Sequence, residues 1–331
     1  MAHPKRTPPF RTAAGAIVPK SVAEVGYCRL GGVDQWVMIR GENLANPALI
    51  HLHGGPGFSE TRLLRHFNSD LEKHFTVVYW DQRGTGKSYS RSIPEASMTV
   101  EQFIADLSEL VDMVCARVGR EQVVLHGHSW GSALGVLYAS RYPQRVAAYL
   151  GTGQIGDWSA AEAASYAYAI AEARRRNNRR ALEGLHRIGP PPYPASSVFR
   201  ERTWVQRLDG QLGPKALWRF GRIALGGAES SLLDVPRQFC GFRFSMNAMW
   251  KEVGDLNLAE AVPGLRMPVF FFLGRRDHWV PPETSMTYVD TLTAPSKTVL
   301  WFDESGHEPF VDEPAKFNQA VVDLVRPLVA P

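Results

Sequence analysis

The chain has 331 residues, enough for one large domain or two smaller ones around a sizeable core. Its 44% hydrophobic and 21% charged residues are those of an ordinary globular protein, and a formal charge of +4 spread over this length does not point to nucleic acid. Cys28, Cys115 and Cys240 are far apart and odd in number, so they read as reduced structural thiols of a cytoplasmic protein, neither a disulfide framework nor a metal site.

Residues 1–20 carry Lys5, Arg6, Arg11 and several prolines but no apolar core of signal-peptide length, and are expected to be a loosely ordered lead-in. No apolar run is long enough to span a membrane. Tyr27–Leu30 and Gln35–Ile39 alternate apolar and polar residues around Gly31-Gly32, which predicts a hairpin. Short apolar runs of another kind follow at Ala48–Leu52, Phe75–Trp80, Val123–Leu125, Val146–Leu150, Pro268–Leu273 and Lys297–Phe302. Most are continuous, as in parallel strands buried on both faces. Between them lie helical patterns, such as Thr99–Val118, which opens on a threonine N-cap and repeats apolar residues at Phe103, Leu107, Leu110, Val111 and Val114. This alternation predicts an α/β fold with a mostly parallel central sheet and right-handed crossovers.

The alternation stops after Leu150. Residues 153–262 are helix-like, aromatic-rich and basic, and Pro268 resumes the strand pattern. The expected organisation is a core of residues 1–152 and 263–331 with a helical cap inserted at 153–262, broken in two by Pro190-Pro191-Pro192 and Pro194. The insertion's aromatic residues (Trp158, Tyr166, Tyr168, Trp204, Trp218, Phe220, Phe239, Phe242, Phe244, Trp250) are expected to form mostly its own core, with a few facing the cleft.

Within Val123–Ser132 an apolar run enters Gly127-His128-Ser129-Trp130-Gly131 and a small-residue helix leaves it. That is the pattern of a sharp strand-to-helix turn that lifts one serine hydroxyl above the sheet. Serine chemistry also needs a base, an acid that orients the base, and donors for the oxyanion. Asp277 ends the run Phe270–Leu273-Gly274-Arg275-Arg276, and His307 lies in a glycine-bearing loop after Trp301-Phe302. Ser129, Asp277 and His307 therefore all fall at strand C-terminal ends, where open α/β sheets place their sites. His53-Gly54-Gly55-Pro56-Gly57 follows Ala48–Leu52, and the backbone N–H groups of Gly55 and Trp130 are the candidate oxyanion donors.

HGGPG at His53–Gly57, DQRGTGKS at Asp81–Ser88, GHSWGS at Gly127–Ser132 and the late Asp277 and His307 together resemble the α/β-hydrolase fold, and within it the proline iminopeptidase group of serine aminopeptidases. The resemblance covers about 22–150 and 268–328. It implies an acyl-enzyme reaction without cofactor or metal on a small-molecule or short-peptide substrate, with no nucleic acid or membrane partner. It also implies that acidic residues of the cap hold the substrate's free amine. Glu162, Glu172, Glu201, Glu229 and Glu252 all fall in the insertion, and none lies in a motif of that group. The alternatives are a carboxylesterase or amidase on a small apolar acyl compound, and a non-catalytic binding module using the same cleft.

Other patterns compete and read as structural. Gly84-Thr85-Gly86-Lys87-Ser88 resembles the end of a phosphate loop, but Asp81 occupies its first glycine position, so a turn after a strand is expected. Gly151, Gly153 and Gly156 fit a dinucleotide fingerprint with Glu172 downstream, and a glycine-rich hinge is expected instead. Arg174-Arg175-Arg176-Asn177-Asn178-Arg179-Arg180 reads as a solvated helix end. His126 and His128 are expected to shape the pocket, and His51 and His278 to be structural; Asp303 and Glu304 are the rivals of Asp277.

Overall fold

The computed structural model describes residues 6–209, 223, 226–229, 231 and 234–329. Eight strands form one sheet: β1 Val22–Leu30, β2 Val33–Gly41, β3 Ala48–Leu52, β4 Thr76–Trp80, β5 Val123–His128, β6 Val146–Thr152, β7 Val269–Gly274 and β8 Lys297–Phe302. Their order is β1-β2-β4-β3-β5-β6-β7-β8. The hairpin β1–β2 is antiparallel, β2 is antiparallel to β4, and every later pairing is parallel.

Continuous apolar runs arise because each inner strand is covered on both faces. Ile50, Val78, Leu125 and Phe271 enter one core, while their neighbours Leu49, Val77, Val124, Phe270 and Phe272 enter the other. The first is filled by helix α2 (Val100–Val118), through Phe103, Leu107 and Leu110, and by α3 (Trp130–Arg141). The second is filled by Leu64 of α1 (Thr61–Phe67) and by Phe310, Phe317 and Val321 near the C-terminus. β8 departs from the expected pattern: it is the edge strand, and residues 298–301 are half-buried. The Thr99 side chain accepts the Gln102 N–H at 3.2 Å, as its N-cap position predicts.

Between β6 and β7 lie α4 (Trp158–Arg175), α5 (Arg179–Ile188), α6 (Ala195–Asp209), α7 (Asp234–Gly254) and α8 (Leu258–Ala261). The proline-rich break falls between α5 and α6. Tyr166, Tyr168 and Trp204 pack on an alanine- and leucine-rich cluster of this insertion, and Trp250 joins the packing around Tyr193 and Met246. Trp158 instead enters the main core, and Phe244 packs against it; Phe239 is exposed, and Trp218 and Phe220 lie outside the described residues.

The lead-in departs from expectation too. Thr7 is buried, its hydroxyl donates to Glu229, and Arg40 Nη1 donates to the Thr7 hydroxyl at 2.6 Å and to the Pro8 carbonyl at 2.7 Å. A buried guanidinium needs such acceptors, and the chain from Thr7 onward supplies two. Among the described residues no helix is long and apolar enough to cross a membrane.

Candidate active site

The C-terminal ends of β3, β5, β6 and β7 lie side by side, with Leu52 opposite Gly127, and His128 and Phe272 each opposite Thr152. The loops that leave these strands are therefore gathered into one place.

Ser129 links β5 to α3 at φ 53 and ψ −120, a conformation costing on the order of 1–3 kcal/mol for a non-glycine residue. The surroundings hold it there. Its N–H donates to the Thr152 carbonyl at 3.0 Å, and its carbonyl accepts the Ser132 N–H at 2.8 Å and the Ser132 hydroxyl at 2.6 Å. The turn also needs its two glycines: a Cβ on Gly127 would lie 2.5 Å from the Gly131 carbonyl oxygen, and one on Gly131 would lie 1.9 Å from that of Leu52. The serine is half-buried at the N-terminal end of α3, whose dipole favours a negative charge there.

The His307 Nδ1 lies 2.8 Å from Asp277 Oδ2. A carboxylate only accepts, so Nδ1 carries the proton and Nε2 is free to accept one. Burial holds the His307 imidazole below the ordinary histidine range; Asp277 opposes this, while His128 and Arg202 add to it. The rivals of Asp277 are elsewhere. Asp303 and Glu304 are exposed and bound at 2.5 Å to Arg275 and Arg276.

The two candidate oxyanion donors lie on segments that are linked through Gln82. Trp130 is the first residue of α3, so its N–H has no acceptor within the helix. Its indole donates to Gln82 Oε1 at 3.0 Å, and Gln82 Nε2 donates to the His53 carbonyl at 3.1 Å, tying the elbow to the loop that carries Gly55. The Gly54 N–H is already given to Glu60 Oε1 at 3.0 Å.

His126 and His128 are both buried. His128 and His51 each bond the buried carboxylate of Glu60, a residue with no motif of its own in the sequence, and His126 bonds His51. Gln82 and Glu60 were both illegible because their partners come from other loops. His278 stacks on Tyr168 with ring centroids 3.6 Å apart. DQRGTGKS is a braced turn: Asp81 accepts from Ser59, Thr61 and the Lys87 N–H, and Arg83 pairs bidentately with buried Asp106 at 2.8 Å. Gly151 and Gly156 pack on Gln154 and Tyr288, and Glu172 binds Arg175 and Arg176 at the end of α4.

Of the five glutamates named above, three are committed away from the site, and two further glutamates of the insertion, Glu183 and Glu260, are exposed. Glu172 is at that helix end, Glu229 binds Thr7, and Glu252 caps α2 through the Val100 N–H. Glu162 and Glu201 remain, both buried and both paired with Arg202. Arg202 lies 5.9 Å from the Trp279 ring, which is 5.1 Å from the His307 ring. Ser165, bonded to Glu201 at 3.2 Å, also donates to the His278 carbonyl at 2.7 Å. Two carboxylates against one guanidinium leave an excess negative charge beside the Asp277–His307 pair. No group of histidine, cysteine, aspartate or glutamate side chains among the described residues could hold a metal ion.

A strained serine between strand and helix, with a histidine–aspartate pair on neighbouring strand ends, defines a hydrolase of the α/β-hydrolase class. Residues 47–314 match the alpha/beta hydrolase fold family, and the chain belongs to it. It is 33% identical over 302 residues to a probable aminopeptidase, YbaC, of Bacillus subtilis, covering 90% of this chain and 95% of that one. It is 34% identical over 122 residues to a proline iminopeptidase of Saccharolobus solfataricus, covering 37% of each. Among solved structures it resembles a proline iminopeptidase-related protein of Thermus thermophilus, with a TM-score of 0.63 at 23% identity over 93% of this chain and 99% of the other. An epoxide hydrolase of Bacillus megaterium shares the fold with a TM-score of 0.59 at 18% identity over 91% and 99%.

Proposed function

We propose that this hydrolase is a serine aminopeptidase of the proline iminopeptidase type, releasing an N-terminal residue from short peptides through an acyl-enzyme. The observation that carries the serine mechanism is Ser129 at φ 53 in the sharp turn after β5, together with the Asp277–His307 hydrogen bond beyond the ends of β7 and β8. His307 Nε2 takes the Ser129 hydroxyl proton as Oγ attacks the substrate carbonyl carbon. The carbonyl oxygen becomes an oxyanion held by the N–H groups of Gly55 and Trp130. Collapse breaks the scissile bond, and His307 gives the same proton to the leaving amine. Water then enters, loses a proton to His307 and attacks the acyl carbon; the acyl–Oγ bond breaks and His307 returns that proton to Ser129 Oγ.

The aminopeptidase reading rests on the excess negative charge of Glu162 and Glu201 around Arg202. Burial raises the Glu201 pKa and Arg202 opposes it, while the neighbouring Glu162 adds to the rise. An incoming α-ammonium would relieve that repulsion at the edge of the catalytic pair. The residues 153–262 would then act as the cap that reads the free amine.

The test compares a proline arylamide with a free amine, its N-capped counterpart and a short-chain aryl ester, with Ser129→Ala as the blank. Selective, Ser129-dependent cleavage of the free-amine substrate is expected. Cleavage of the ester alone would replace the aminopeptidase with an esterase, and full activity in Ser129→Ala would remove the serine mechanism.

A further inference from the structure

Beneath the catalytic loops lies a buried chain of polar groups to which the acyl-transfer steps assign no part. His128 Nδ1 is 2.7 Å from Glu60 Oε1, and His128 Nε2 is 3.0 Å from the carbonyl oxygen of His307. Both partners only accept. Each imidazole nitrogen of His128 must therefore carry a proton, which makes the ring an imidazolium. Glu60 Oε2 accepts from His51 Nε2 at 2.8 Å, and His51 Nδ1 is 3.0 Å from His126 Nδ1. His126 Nε2 closes the chain on the Thr152 hydroxyl at 3.1 Å. His51 and His126 can satisfy these contacts as neutral rings, so the chain needs one cation and one anion.

The titration directions agree with that count. Burial opposes charge on His128, but Glu60 outweighs it and pushes the group up to about 9. Burial likewise opposes ionisation of Glu60, yet His128 and His51 hold its carboxyl far below the usual range. Burial keeps His51 and His126 below the ordinary histidine range.

This pair touches the oxyanion loop, the serine turn and the base loop. Glu60 holds the Gly54 N–H of the oxyanion loop at 3.0 Å, His128 is the residue before Ser129, and its Nε2–H holds the backbone of His307. The rings of His128 and His307 lie 4.6 Å apart between centroids. A cation at that distance disfavours a second proton on His307. We propose that His128, kept as an imidazolium by Glu60, is a positioning residue that fixes the base loop and keeps His307 neutral, so that it works as a base at lower pH. The inference rests on the serine-hydrolase reading for its catalytic consequence alone; the charge on His128 stands apart from it. The charged and titratable groups facing His128 are Glu60 before α1, His51 on β3, His126 on β5, and His307 and Glu308 after β8. Glu308 is itself pushed up to about 7, by burial first, with His128 opposing.

The experiment is an imidazole 15N titration of the full chain, wild type and His128→Gln, with acid-limb pH profiles of kcat/KM on the free-amine arylamide. The wild type should show both His128 nitrogens protonated at pH 7. In His128→Gln the His307 pKa should rise by about 1 unit, and the acid limb should move up by the same amount whatever the height of the plateau. Loss of a merely structural residue would instead lower the whole profile without moving the limb. A neutral His128 at pH 7, or an unmoved His307 titration, overturns the proposal. Should His128→Gln fail to fold, the uncharged pair Glu60→Gln/His128→Gln serves, with a shift of the same sign expected and an unmoved His307 again overturning it. Failure of the serine reading shows separately, as activity surviving in Ser129→Ala, while the imidazole spectra still decide the charge on His128.

Discussion

The carboxylate of Asp277 is fixed on both sides: Oδ2 lies 2.8 Å from His307 Nδ1, and Oδ1 accepts the backbone N–H groups of Trp279 and Val280 at 2.9 Å each. The bend after β7 thus aims the Asp277 carboxylate at the His307 imidazole. Asp277→Asn keeps the shape but offers an amide that can select the wrong imidazole tautomer. A loss of about 10³–10⁴-fold in kcat is expected. Asp303→Asn and Glu304→Gln, whose carboxylates face solvent, should stay within about twofold. Steady-state rates for the three variants check this, and equal losses in all three would refute the assignment of Asp277.

The acids of the insertion should act on binding. Glu162 also accepts the Tyr193 hydroxyl at 2.5 Å, so removing its charge need not empty the site. Glu162→Gln and Glu201→Gln should each raise KM for a free-amine arylamide by about 10-fold or more, with little change for an N-capped substrate. Parallel losses on both substrates would mean that the cluster supports the fold and does not read an ammonium.

Gly153 packs against the base. It has φ 50, and a Cβ there would lie 2.6 Å from His307 Cε1. Since His307 is held by Asp277 and flanked by Trp279, the ring has little room to yield. Gly153→Ala should lower kcat by about 10-fold or more and cost about 1–2 kcal/mol of stability from the left-handed backbone. Rate measurements beside thermal melts check both effects, and an unchanged kcat would show that the loop relaxes away.

Stability should depend on pH through His128. Its folded pKa is raised, to about 9, above the ordinary value of 6.5. Its contribution is therefore complete below pH 6.5 and is lost as pH rises towards 9, by an amount on the order of a few kcal/mol. Tm should fall over that interval in the wild type and more weakly in Glu60→Gln/His128→Gln. Equal slopes for the two proteins would count against a charged His128.

The sheet, the glycine-flanked turn at Ser129 and the strand-end positions of Asp277 and His307 were all legible along the chain. Those features are local: a strand buried on both faces must be apolar throughout, and a tight turn must carry glycine at Gly127 and Gly131. Thr99 as a cap and 153–262 as an insertion could be read in the same way. Which carboxylate serves His307 depends on three-dimensional packing. Asp303 is nearer in sequence, but the end of β8 turns it outward onto Arg275, whereas β7 and β8 lie side by side and bring Asp277 inward. The same holds for Glu60, for Gln82 and for the choice of Glu162 and Glu201 among the glutamates of the insertion. Each acquires its role from groups on other strands' loops, and hydrogen bonds that close across a sheet's end leave no period or spacing in the chain.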